Sequence, residues 1–163
     1  MYTFKQLLPL IQKSYGQKCC RKRIADGQTL IVEYGNKIYH GKNNRLDSFV
    51  GEWSFGTYSR FWRIVKNDKV LLGGGSSFQD KSMDSMLQKI DFGRLKKVTF
   101  ERNLDLVLHL DNEVLIEFLS LNHNEESFHI YTPHKKAMVY YTDRGWLYGK
   151  TDIPWPNSLN LDF

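Results

Sequence analysis

Two periods of hydrophobic and polar residues run along this chain, and the switches between them mark out its elements. From Thr3 to Lys13 the apolar positions Phe4, Leu7, Leu8, Leu10 and Ile11 recur at helical spacing. Thr3 is able to cap the first turn, so the pattern predicts one amphipathic helix over about residues 3–13. Pro9 lacks a backbone donor and crowds the preceding turn, so that helix is expected to kink there or to start late. Beyond Gly16 the period drops to two. The run TLIV followed by EYGNKIYHG reads as a strand and a hairpin turning at Gly35-Asn36. Trp62 and Ile64 then face Val70 and Leu72 across Lys66-Asn67-Asp68-Lys69, a second hairpin whose Asn and Asp tolerate turn geometry.

The Gly73-Gly74-Gly75-Ser76-Ser77 stretch breaks that strand, and Met83, Met86, Leu87 and Ile90 restore helical spacing, predicting a second helix over about Asp80 to Ile90. Strong alternation follows. Val98 and Phe100, then Leu104 to Leu110, then Val114, Ile116 and Phe118 form strands joined by a turn at Asp111-Asn112. Phe128 and Ile130 lead through Thr132-Pro133-His134-Lys135 to Ala137, Val139 and Tyr141, and the last strand is expected to stop near Thr142. Short sequential strands pair with their neighbours. The expected architecture is therefore one α+β domain spanning residues 1–163, a largely antiparallel sheet of successive hairpins with two helices packed on it. The segment from about 145 to 163, with prolines on both sides of Trp155, reads as an extended arm.

Composition narrows the function classes. With 163 residues, 41% hydrophobic and 25% charged, the chain suits a single compact domain and excludes a disordered, collagen-like or rod-like protein. No apolar run reaches the roughly 18 residues of a membrane span and the first residues lack the order of a secretory signal, so no membrane partner and a cytoplasmic location are expected. Cys19 and Cys20 are adjacent, a spacing useless as a disulfide staple. The net charge of +5 is uneven. Residues 1–66 carry 12 Lys and Arg against 4 Asp and Glu, or +8, and residues 67–163 carry 11 against 14, or −3.

No catalytic signature emerges. GxSxG, GxGxxG and GxxxxGK[ST] are all missing, so the Gly73–Ser77 stretch between strand and helix holds a phosphate only on the weakest pattern. His40, His109, His123, His129 and His134 match no zinc spacing, and His109 sits at the polar phase of its strand, reading as solvent-facing. Cys20 beside Arg21, Lys22 and Arg23 could carry a lowered pKa, although a buried, inert thiol fits better. The chain is thus expected to be no enzyme and to need no cofactor or metal. A hydrolase reading would need His123, His129 or His134 to meet a carboxylate in a cleft.

The segments FWRIVKNDKVLLGGGSS, LKKVTFERNLDLVLHLDNEVLIEFLS and ESFHIYTPHKKAMVYYT, between Phe61 and Trp146, resemble a group of small bacterial proteins. The resemblance rests on Trp62, Leu71-Leu72-Gly73, Asp105-Leu106, Leu108, Asn112, Leu115, Glu117-Phe118 and Phe128, and covers about half the chain. Proteins of this kind are often encoded beside toxins of contact-dependent growth inhibition. The resemblance therefore implies an immunity protein that neutralises a cognate toxin domain by protein–protein binding. An aromatic content of 14% suits such a binder. The expected partner-binding residues are Tyr58, Arg60 and Trp62 near the Gly-rich segment, and Asp111, Glu113 and Glu117 in the acidic half. The alternative is a nucleic-acid-binding module using Lys18, Arg21, Lys22 and Arg23.

Overall fold

A computed structural model describes residues 1–41, 48–121 and 126–152. The chain is mostly antiparallel β-sheet, in two sheets, with two short helices. Helix α1 spans Phe4–Ile11, followed by strands β1 (Cys19–Ala25), β2 (Thr29–Tyr39), β3 (Phe49–Gly56), β4 (Trp62–Lys66) and β5 (Lys69–Gly73). Helix α2 (Asp80–Gln88) precedes β6 (Leu95–Phe100), β7 (Leu106–Leu110), β8 (Leu115–Phe118), β9 (Glu126–Thr132), β10 (Lys136–Tyr141) and β11 (Gly145–Lys150). A six-stranded sheet has the order β1-β2-β3-β9-β10-β11 and a five-stranded sheet the order β5-β4-β8-β7-β6.

Sequential hairpins alone do not produce this arrangement, which replaces the single meander expected from the sequence. β3 pairs with β9 in the six-stranded sheet and β4 with β8 in the five-stranded one, so the chain changes sheet between β3 and β4 and again between β8 and β9. Thr57, 2% exposed, holds the departure point: its hydroxyl donates to the Ser127 carbonyl at 2.7 Å and accepts from the Ser59 N–H at 3.0 Å. Leu119 N–H donating to Phe61 O at 2.8 Å keeps the strands together at the far side. The inward residues of both sheets bury one apolar cluster that includes Tyr34, Trp53, Phe55, Trp62, Ile64, Phe118, Phe128 and Trp146. Phe100 of β6 meets Phe128, Tyr140 and Trp146 of the other sheet with ring centroids 5.0–6.2 Å apart.

Thr3 forms a capping box with Gln6, which lets an eight-residue helix begin at Phe4, and Pro9 is accommodated inside it. Leu7 and Ile11 enter the core. Helix α2 lies along β1, an outer strand of its sheet. The Asp84 carboxylate accepts the Ile24 N–H at 2.9 Å and Gln88 donates to Lys22 O at 2.8 Å, so side chains satisfy backbone groups that a bare edge would offer to another chain.

Two turns form where the sequence places them. Asn67 and Asp68 both take positive φ between β4 and β5, as a two-residue hairpin turn demands. His134 and Lys135 also take positive φ, within the three-residue loop 133–135 between β9 and β10. The expected turn at Gly35-Asn36 is instead a bulge inside the continuous strand β2, because Gly35, at φ 93°, inserts the extra residue without reversing the chain. The sheet also continues past Thr142: Gly145–Lys150 is strand β11, not part of an extended arm, and Trp155 lies outside the described residues. Among the described residues no helix is long and apolar enough to cross a membrane.

Replacing Thr57 by Val keeps its shape and strips the corner of one donor and one acceptor. The Ser127 carbonyl and the Ser59 N–H then lose a buried partner, and a loss of about 1–3 kcal/mol is expected in urea denaturation. A variant within about 0.5 kcal/mol of the parent shows that the corner does not depend on this hydroxyl.

Candidate functional face

The face of the six-stranded sheet turned away from the core carries the most distinctive chemistry of the molecule. Register places Arg21, Glu33, Ser54 and Tyr131 in one row across it and Arg23, Ile31, Gly56 and His129 in the next. Two bulges complete it. In β2 the extra residue at Gly35-Asn36 shifts the phase, so that Ile38 and His40 join Ile31 and Glu33 on this face. In β9 the pairing jumps from Phe128–Tyr140 to Glu126–Tyr141, which brings Glu126 to the side of His129 although three positions separate them.

The result is a groove of about 830 Å3 whose lining includes Ile31, Ile38, Val50 and Tyr131. Ile38 is 47% and Val50 36% exposed, and the two are cross-strand partners. Its floor is anchored by a bidentate ion pair: Arg21 Nε and Nη2 donate to Glu33 at 2.6 and 3.0 Å, and Gly51 N–H donates to the same carboxylate at 3.1 Å. Gly51 has no room for a side chain, since a Cβ there would lie 2.5 Å from Glu33 Cβ. Both charge signs occur around the groove, with Arg23, Lys135 and Lys136 against Glu52 and Asp152.

Near His129, which lines this groove, lies an aromatic and acid cluster. The ring of His129, 3% exposed, sits over Gly56, where an added Cβ would be 2.7 Å from Nε2. Tyr58 and Tyr131 flank it with centroids at 4.6 and 4.8 Å, and their hydroxyls bond each other at 2.8 Å. That bond holds two exposed rings in fixed positions. Glu126 Oε1 lies 3.8 Å from His129 Nδ1, and its other oxygen accepts from Tyr141 at 3.4 Å. Burial pushes the Glu126 carboxyl up to about 7 and the His129 imidazole down to about 4, and it raises the Tyr58 hydroxyl further through the bond to Tyr131. The placement of Glu126 beside His129 was not legible in the sequence, because two residues at i and i+3 on a regular strand point to opposite faces.

The residues singled out from the sequence do not gather here. Tyr58 belongs to the cluster and Arg60 is exposed beside it in sequence, but Trp62 is 2% exposed, with its indole N–H donating to Gln28 O at 2.6 Å. It is a core residue and no contact surface, because the inward phase of β4 begins with it. Asp111 and Glu113 lie in the β7–β8 turn, at the opposite end of the β4–β8 ribbon from Tyr58, and Asp111 accepts the Arg94 N–H at 2.9 Å. Glu117 pairs across strands with Arg63.

Strand alternation also divides the basic run. Arg21 and Arg23 face the groove, whereas Lys22 reaches the other way, donating to Ile90 O past the end of α2 and lying 4.6 Å over the Phe92 ring. Lys18 is exposed in a bridge with Arg94. The adjacent thiols are not activated. Burial raises Cys19 to about 12 despite Lys22, and burial followed by Glu33 raises Cys20. In the Gly-rich stretch, Gln28 accepts the Gly75 N–H and donates to Ser76 and Phe78 carbonyls, so the loop is bound internally. His109 is half-buried against Thr99 at 2.9 Å instead of facing solvent freely, His134 is exposed in a turn, and His123 lies outside the described residues. No group of three or more metal-ligating side chains converges among the described residues.

Replacing Glu33 by Ala leaves the Arg21 guanidinium half-enclosed and Gly51 N–H without its acceptor. A loss of about 3 kcal/mol is expected in thermal or urea unfolding, with Gly51 amide exchange accelerated. Slow exchange at Gly51 in that variant contradicts the anchoring role. Comparison with family models, curated proteins and solved structures gives no match.

Proposed function

We propose that this protein acts by binding a protein partner through the outer face of the six-stranded sheet, and that the partner is a cognate toxin domain of bacterial competition which it neutralises. The α+β arrangement, with the helices packed against the sheets, leaves that face open. The observation that carries the reading is the groove itself: exposed aliphatic side chains on a rigid sheet, next to two tyrosines tethered to each other, with charges of both signs at the margin. A few apolar and aromatic anchors supply most of the affinity of a protein interface, and anchors already held in place lose little freedom on docking. Margin charges add selectivity and speed of encounter.

The same geometry disfavours the nucleic-acid alternative. Phosphate binding needs cations free to face one polyanion, and here Arg21 is engaged by Glu33 while Lys22 donates to Ile90 O beyond α2.

The test is binding to the C-terminal domain of any large secreted protein found encoded beside this one, followed by calorimetry at 0.1 and 0.5 M salt. A nanomolar complex that weakens by at least about tenfold in an Ile38→Asp variant, and little with salt, is the expected result. Absence of a complex, or an Ile38→Asp variant that binds as tightly as the parent, contradicts the proposal. Tight, strongly salt-dependent retention of a labelled single-stranded oligonucleotide favours the alternative.

A further inference from the structure

Two buried polar atoms on the functional face confront each other without a bond. Glu126 Oε1 and His129 Nδ1 are 3.8 Å apart, and neither has a hydrogen-bond partner among the described residues. Buried polar atoms are very rarely left so. Among the described residues the surroundings offer no charge to either group. From the β3–β4 link Tyr58 stacks on His129, from β9 itself Tyr131 stacks on its other side, and from β10 Tyr141 reaches Glu126. In the β10–β11 turn, Arg144 lies over the Tyr141 ring but is bonded to Asp143 at 3.2 Å. The Glu126 side chain is 22% and the His129 side chain 4% exposed. An ion pair there would surrender two hydration shells for one long contact, whereas an uncharged pair surrenders little.

We propose that folding moves one proton from His129 to Glu126, so that the pair is held uncharged, with the Glu126 carboxyl donating to Nδ1 of His129 and the imidazole keeping its proton on Nε2. The transfer conserves protons: an imidazolium and a carboxylate in the unfolded chain become an imidazole and a carboxylic acid in the folded one. A turn of the Glu126 side chain brings its oxygen from 3.8 Å to the roughly 2.7 Å of a hydrogen bond. The inference concerns the chain itself and holds whichever partner occupies the groove.

A pH profile distinguishes this state from an ion pair. Glu126 rises from 4.5 to about 7, so between those values the folded chain holds a proton the unfolded chain has lost, and stability falls as pH rises. His129 drops from 6.5 to about 4, so between those values the unfolded chain holds the extra proton, and stability rises with pH. From pH 4.5 to 6.5 the two slopes cancel. Relative to the parent, Glu126→Gln should gain up to about tenfold in folding equilibrium constant per pH unit rising through that window, and His129→Gln should lose as much.

The parent chain needs no variant for a direct reading: nitrogen shifts of His129 at pH 5.5 should show a neutral ring protonated at Nε2. An imidazolium at that pH, or both variants running parallel to the parent between pH 4.5 and 6.5, overturns the proposal. If His129→Gln does not fold, the nitrogen shifts and Glu126→Gln decide.

Discussion

Everything in this molecule turns on a corner. The β3–β9 pair belongs to one sheet and the β4–β8 pair to the other, and the chain changes sheet twice, between β3 and β4 past Thr57 and between β8 and β9. The two sheets close over a common apolar interior while each keeps its own hydrogen-bond ladder. The hydroxyl of Thr57 and the amide of Leu119 bracket the β3–β4 link, and the residues immediately beside it, Gly56, Tyr58 and His129, are those that build the aromatic end of the candidate face. The constraint that gives the fold its core also concentrates its unusual chemistry.

The strands themselves were legible. Apolar alternation in the sequence marked Leu106–Leu110, Leu115–Phe118 and Lys136–Tyr141, although only Leu115–Phe118 alternates in burial, the other two being buried on both faces along most of their length. Asn67-Asp68 announced a turn because both side chains tolerate the left-handed backbone they adopt. Gly35-Asn36 looked the same and was a bulge. A local pattern cannot separate the two, since both need positive φ at glycine and only the pairing of distant Trp53 and Gly51 with Tyr34 and Lys37 decides. The partition into two sheets was likewise hidden, as it depends on β3 choosing β9 over β4.

The site was less legible than the fold. Tyr58 could be guessed as a surface aromatic, but Trp62 could not be distinguished from it, four positions away in an aromatic stretch. The candidate face is written across five strands and two bulges, each bulge reversing the parity by which residues are assigned to faces. Ile38 and Glu126 reach the groove side only through that reversal. Charge misled for a related reason. The contrast between a +8 first segment and a −3 second segment disappears in space, because β3 from the first pairs with β9 from the second and the groove draws on both.

That interleaving also bears on how the molecule is made. The five-stranded sheet comes from one continuous stretch, β4 to β8, whereas the six-stranded sheet joins three early strands to three late ones. A nascent chain emerging from the ribosome can complete the former while the latter waits, with β3 exposing an unpaired side until β9 is synthesised. During that interval Trp53 and Phe55 have no finished sheet around them. Early segments of this protein should therefore be the ones that engage chaperones.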